Sequence, residues 1–233
     1  MPAASGRAAK LSLEEDHGLW AAEALGQDLC FYAGGLTEAP DPSALPASVR
    51  TADALPASLG LLLLYFSARW CPLCAEFDTT MRGIYEGLKA LPESNEVELV
   101  WVSCDVTEEA FREHLQKLDS LLAVAWSPCE RLEELPERFG VEGLPSLLVL
   151  DARSGSTLTS DGREEVLTAS SAPAQPVARG QAAAAPSVGA VAAELMGRWL
   201  TLLTEKRRAS APRSTPASPA SSPRSSPTSS RSP

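Results

Sequence analysis

The chain has no long hydrophobic run. Its longest, "LGLLLLYF" from Leu59 to Phe66, falls far short of the ~20 residues needed to cross a bilayer, so no membrane span is expected. No apolar run follows Arg7 and Lys10 either; Glu14, Glu15 and Asp16 come instead, which argues against a secretory signal or a transit peptide. Basic residues are outnumbered, 20 against 30 acids, for a net charge of −10. That balance disfavours nucleic acid and anionic membrane as partners. Cysteine is scarce, with 5 residues, an odd number, in 233. Such a count does not suit a secreted disulfide framework. The expectation is a soluble intracellular protein, cytoplasmic, with the nucleus as the alternative.

What is present is enough apolar residue for a folded core, 44% of the chain. Residues 1–27 read as a mobile N-terminal arm ending in a short amphipathic stretch. "DLCFYAGGL" (28–36) suggests a strand running into a turn. Pro40, Pro42, Pro46 and Pro56 mark 37–58 as a loop. The uninterrupted "LGLLLLYFSA" predicts a strand buried on both faces. Phe77, Met81, Ile84, Tyr85 and Leu88 then recur at three- and four-residue steps, which predicts a helix over 72–91. "EVELVWVSC" (96–104) is a second strand. Thr107 is a candidate N-cap for the helix "EEAFREHLQKL". "LLAVAW" suggests a short strand, and "CERLEELPERFG" a helix closed by Gly140. "PSLLVLD" is a further core strand, "ARSGS" a turn and "TLTSDG" an edge strand. Alternation of this kind predicts an α/β domain over 28–168, a sheet with helices on its faces.

Residues 169–186 are rich in Ala, Pro and Ser and read as a linker. A helix capped by Ser187 is expected over 187–208, with Val191, Leu195, Leu202 and either Met196 or Trp199 facing the sheet; a docking helix for a partner is the alternative. Residues 209–233 hold 10 Ser, 6 Pro, three Arg and no acid. This tail is expected to be disordered. Thr215, Ser218, Ser222, Ser226 and Ser232 each precede proline, which makes the tail a candidate kinase target.

The chemistry concentrates in "YFSARWCPLCAEF", where Cys71 and Cys74 stand three apart between a buried strand and a helix. At a helix start, unpaired N–H groups and the dipole favour the thiolate of Cys71. Pro72 falls near the first helical position, where its missing N–H costs little. Cys74, one turn in, faces the same way and is more buried. The arrangement suits one attacking and one resolving thiol. Half of a metal site and two small core residues are the competing readings. With Cys104 and Cys129 the pair lacks the second close pair that structural zinc sites usually supply, so no metal is expected. Cys104 and Cys129, like Cys30, read as half-buried core residues, His114 as a solvent-facing helix residue and Trp101 as core. Pro145 stands directly before a core strand in "VEGLPSLLVL".

Three separated stretches, "YFSARWCPLCAEF", "VELVWVSCDVTEEAFREHL" and "RFGVEGLPSLLVLDARSGSTLTSDGRE", together resemble the tryparedoxin/nucleoredoxin branch of the thioredoxin superfamily over residues 59–166. The resemblance implies a thioredoxin-like fold with a central mixed sheet flanked by helices. It implies thiol-disulfide oxidoreductase activity on protein disulfides, with Cys71 as nucleophile and Cys74 as resolving thiol. Trp70 and Pro72 would support the pair. Pro145 would be a cis proline whose loop, with Gly143 and Leu144, presents backbone groups to a peptide substrate. No cofactor is implied beyond the redox-active pair. Electrons would come from an external thiol such as glutathione or trypanothione, or from a reductase. The chain departs from the branch at Leu73, where a second proline is usual, at Ala75 in place of arginine, at Thr79, and at Asp119, Ser120 and Leu121 in place of Met-Pro-Trp. A catalytically weak binding or scaffold module is the alternative function.

Overall fold

A computed structural model describes residues 20–32, 45–119, 121–126, 131–171 and 185–211. The expected Ser/Pro tail from 212, most of the linker, the arm before residue 20, His17 and Cys129 lie outside them.

The predicted run Leu61–Ser67 forms strand β3, and all seven of its residues are buried. Nothing polar interrupts it because both faces of the sheet are covered there. Around it the chain builds one seven-stranded mixed sheet from β1 (Asp28–Phe31), β2 (Ala47–Arg50), β4 (Val97–Ser103), β5 (Leu122–Val124), β6 (Ser146–Asp151) and β7 (Thr157–Thr159). The spatial order is β2-β1-β5-β4-β3-β6-β7. Strand β3 pairs parallel to β4, with Ser67 opposite Ser103, and antiparallel to β6, with Phe66 opposite Ser146. The antiparallel pairing brings the residue before β6, Pro145, to the end of β3, where Cys71 begins the next helix.

Among the described residues, helices α1 (Thr51–Ala54), α2 (Pro72–Lys89), α3 (Glu108–Leu118), α4 (Arg131–Arg138), α5 (Gly162–Ser171) and α6 (Val188–Ser210) flank the sheet, and residues 20–25 are helical too. Side chains on one sheet face (Leu61, Leu63, Tyr65, Leu99, Trp101) pack under α2, α3, α5 and α6. Those on the other (Leu62, Leu64, Phe66, Val100, Val102) pack under Leu135 of α4 and the helical residues 20–25. The helices start where their chemistry dictates. Thr107 accepts a hydrogen bond from the Ala110 N–H at 3.2 Å and caps α3. Ser187 does the same for α6 through the Ala190 N–H at 3.3 Å. Gly140 follows α4 at φ +66°, a conformation that favours glycine. Helix α6 lies so close to α2 that a Cβ on Gly87 would come within 2.8 Å of the Ala192 methyl.

Several expectations need correction. The mobile arm expected over 1–27 fails at 20–25, which are helical and bury Ala21, Ala24 and Leu25. The loop expected over 37–58 contains β2 and α1; β2 is an exposed edge strand without apolar alternation, so it carries no period-2 signal. The edge strand β7 ends at Thr159, and the chain turns directly into α5. On α6 the buried residues are Val191, Ala192, Leu195, Met196, Trp199 and Leu203; Leu202, expected inward, is only partly buried.

Candidate active site

Cys71 occupies the N-cap of α2 in an extended conformation (φ −91°, ψ 114°), with Pro72 in the first turn. Its Sγ accepts the Cys74 N–H at 3.3 Å. That contact gives a partner to a helix-end N–H that has none within the helix. The same sulfur lies 3.8 Å from the carbonyl oxygen of Leu144. The Leu144-Pro145 bond is cis. Cys71 is 6% exposed and Cys74 fully buried; with Ala68 they form a small cluster against which Cys104 and Leu144 pack. Cys30, Cys71, Cys74 and Cys104 are all free thiols.

Burial, with a hydrogen bond to Cys71 and the nearby charge of Asp78, pushes the Cys74 thiol up to about 12. Cys74 is therefore held protonated. Burial and the neighbouring Asp105 push Cys104 up to about 11, and burial pushes Cys30, on β1, up to about 12. An inert thiol at Cys104 and Cys30 agrees with their reading as core residues. Above the pair the surface is apolar and open: Trp70 is 63% exposed, Leu73 58% and Val106 83%. The Trp70 indole donates to the Cys104 carbonyl at 3.2 Å. Beside the Leu144-Pro145 loop a cleft of about 630 Å³ runs past Gly143, Ser146, Ser160 and Arg163. No group of three or more His, Cys, Asp or Glu is arranged to hold a metal among the described residues.

Below the pair is a cluster that the sequence did not disclose. His114, expected to face solvent, is only 2% exposed. Its Nδ1 lies 3.1 Å from Asp105 Oδ2 and its Nε2 2.9 Å from Asp78 Oδ2. The second oxygen of Asp78 receives the Tyr65 hydroxyl at 2.5 Å and the Ser67 hydroxyl at 3.3 Å. Asp105 accepts the Arg69 N–H at 2.7 Å and the Ser103 hydroxyl at 3.0 Å. The edge of the His114 ring meets Trp101, centroids 4.7 Å apart. Burial alone would strip the proton from His114, but the two carboxylates overrule it and raise the imidazole to about 9. Burial opposes the charge of Asp105 too, yet its hydrogen bonds from His114, Arg69 and Ser103 hold it below the usual carboxylate range. A signal was available: Phe111, His114, Leu115 and Leu118 share the buried stripe of α3. A histidine on that stripe needs a polar partner, and its partners come from α2 and from the loop after β4.

A mixed sheet with a dithiol at a helix start, facing a cis-proline loop, defines the thioredoxin-like class. The comparisons agree. A family model described as thioredoxin-like matches residues 60–157. Tryparedoxin of Trypanosoma brucei brucei is 32% identical over 115 residues, 47% of this chain and 77% of that protein. Nucleoredoxin of Mus musculus is 36% identical over 104 residues, 45% of this chain and 23% of that protein. The crystal structure of native tryparedoxin I from Crithidia fasciculata superposes with a TM-score of 0.51 at 28% identity, covering 63% of this chain and 90% of that one. The chain belongs to the tryparedoxin/nucleoredoxin branch of the thioredoxin-like oxidoreductase family. It spans about a quarter of the length of the nucleoredoxins it matches.

Proposed function

We propose that this chain is a thiol-disulfide oxidoreductase that reduces protein disulfides through a Cys71/Cys74 cycle. The observation that carries the reading is the pairing of unlike sulfurs. Cys71 Sγ accepts a helix-end N–H at 3.3 Å, and Cys74 is fully buried one turn below. In the first step the Cys71 thiolate attacks one sulfur of a substrate disulfide. A Cys71–substrate bond forms, the substrate S–S bond breaks, and the other substrate sulfur leaves as a thiolate that takes up a proton. In the second step Cys74 loses its proton and attacks Cys71. The Cys71–Cys74 disulfide forms and the second substrate sulfur leaves, reduced. The substrate gains two electrons, which the pair has lost. An external thiol, such as glutathione or trypanothione, or a reductase returns them.

The Leu144 carbonyl, 3.8 Å from the attacking sulfur, offers a substrate peptide a backbone acceptor beside the reacting bond. Trp70, Leu73 and Val106 offer it apolar surface. That open apolar rim is also what a binding module with little turnover would show, and one experiment separates the two. In a Cys74→Ser chain the second step is blocked. Oxidoreductase chemistry predicts covalent adducts with disulfide proteins that need Cys71 and disappear with dithiothreitol. A binding module predicts retention of partners without a covalent bond.

A further inference from the structure

The last buried apolar side chain of α6 is Leu203. Every residue from 204 to 211 is exposed except Arg207, which is partly buried. What holds the end of this helix to the domain is therefore polar. Arg207 makes a two-point contact with Asp151 at the end of β6, at 2.7 and 3.2 Å. Lys206 Nζ donates to the Thr157 carbonyl of β7 at 3.4 Å. The helix stops at Ser210. Pro212 disfavours a further turn, Ala211 is extended (φ −66°, ψ 133°), and its N–H reaches only the Arg208 carbonyl, at 3.4 Å. Helix ends with so few contacts open readily.

Ser210 is exposed, and its hydroxyl donates back to the Lys206 carbonyl at 3.0 Å. It closes the stretch Lys206-Arg207-Arg208-Ala209-Ser210, which holds the one Arg-Arg pair in the sequence. A hydroxyl two and three positions after adjacent arginines carries the charge pattern that basophilic protein kinases read. Their acidic clefts take the two guanidinium groups ahead of the acceptor through charge-assisted hydrogen bonds. From Lys206 to Pro233 the chain has six basic residues and no acid, which suits such a cleft. Ala211 follows the serine, so this hydroxyl is unlike the Ser-Pro and Thr-Pro sites of the tail, which suit proline-directed kinases. In the folded chain one of the two arginines is already taken. Arg208 is exposed, but Arg207 is held by Asp151. A kinase cleft and Asp151 compete for the same guanidinium.

We propose that Ser210 is a phosphorylation site for a basophilic serine/threonine kinase, and that the Asp151–Arg207 contact gates it. The site is remote from the thiol pair. Asp151 stands opposite Leu61, the first residue of β3, whereas Cys71 follows the last. The transfer uses Mg-ATP as co-reactant. The bond from the γ-phosphorus to the bridging β-phosphate oxygen breaks, and a bond from the γ-phosphorus to Ser210 Oγ forms. The hydroxyl proton passes to the kinase's carboxylate base, and ADP leaves with the electron pair of the broken bond. The product is an anion within one turn of Lys206 and Arg207, at the negative end of the helix dipole. It offers Arg207 a second partner in place of Asp151.

The test incubates the reduced full chain with Mg-ATP and the catalytic subunit of cAMP-dependent protein kinase, a basophilic kinase, and maps phosphate by peptide mass spectrometry. A standard peptide substrate confirms that the kinase is active. Phosphate is expected on Ser210 and is expected to vanish from that peptide in Ser210→Ala. Arg208→Ala removes an exposed arginine that holds nothing in the fold, and is expected to slow the transfer at least about tenfold, the value of a charge-assisted hydrogen bond. Asp151→Asn frees Arg207 and is expected to speed the initial rate about fivefold at limiting kinase. His114→Gln loosens the opposite end of the sheet and is expected to leave the rate within about twofold of wild type, as distant sites act independently. Ser210 without phosphate in both wild type and Asp151→Asn overturns the site. Equal rates for wild type and Asp151→Asn, or an equal gain in His114→Gln, overturn the gate.

Discussion

Two charged clusters close the two ends of the same central strands, and they are built for different ends. At one end, after β3 and β4, His114 lies between Asp78 and Asp105 under the thiol pair. At the other, Asp151 at the end of β6 takes a two-point contact from Arg207 of α6, at 2.7 and 3.2 Å. Both hold carboxylates among apolar neighbours, and Asp151, like Asp105, is kept below the usual carboxylate range: burial opposes its charge, but Arg207 and the Arg153 N–H outweigh it. The cations differ. Guanidinium keeps its charge at any pH a protein meets, so the Asp151–Arg207 pair is a fixed latch for α6. Imidazolium can lose its proton, so the cluster beneath the sulfurs responds to pH. The fold has put its titratable cation next to the chemistry and its permanent one where a helix needs only to be held.

The largest effect is expected at His114. Replacing it by Leu strands two carboxylates, one of them fully buried. Loss of a buried partner of this kind costs about 3–5 kcal/mol. A denaturant titration is expected to show that loss for His114→Leu, and a loss under about 1 kcal/mol would mean that the cluster is hydrated and weak.

His114 is raised from 6.5 to about 9, so the folded state binds its proton more tightly than the unfolded state. The stabilisation is complete below the unfolded value and is lost as pH rises through about 9, an effect on the order of 3 kcal/mol. Stability measured across that window is expected to fall for wild type and to stay flatter for His114→Gln. Equal slopes would remove the distinction between the two ends.

A smaller loss is expected at the latch. Arg207 is over a third exposed, so water takes over part of its role once the pair is cut. Asp151→Asn is expected to cost about 1–2 kcal/mol, read as an earlier unfolding midpoint, with formation of the Cys71–Cys74 disulfide unchanged. A change in disulfide formation would show that the ends are coupled. The smallest effect on stability is expected at Trp70. As an exposed side chain it can be replaced by Ala with a change of about 0.5 kcal/mol or less. Its removal is expected to slow reaction with protein disulfides and to spare small aromatic disulfides, a difference that sharpens the contrast between surface and buried machinery.

The sequence disclosed these regions unequally. The buried strand at Leu61–Ser67, the helix spacing after Pro72, the N-cap role of Thr107 and the place of Pro145 before β6 are local signals, set by periodicity and by residues with one conformational preference. The Asp78–His114–Asp105 cluster is not local. Its three members come from two helices and a loop, and only the stripe of Phe111, His114, Leu115 and Leu118 hinted that the imidazole points inward. The latch was hidden for the same reason, since Asp151 and Arg207 are 56 positions apart. Edge strand β2 escaped because exposed edges need no apolar pattern.

The proposed cycle requires that Cys71 and Cys74 pair with each other. The direct measurement is mild oxidation of the reduced full chain, followed by blocking of the remaining thiols, proteolysis and mass mapping of the cross-linked peptides. A Cys71–Cys74 disulfide that a dithiol reverses is expected, with Cys30 and Cys104 recovered as blocked free thiols. A pair that stays reduced while other cysteines oxidise, or a link from Cys71 to any other cysteine, would contradict it.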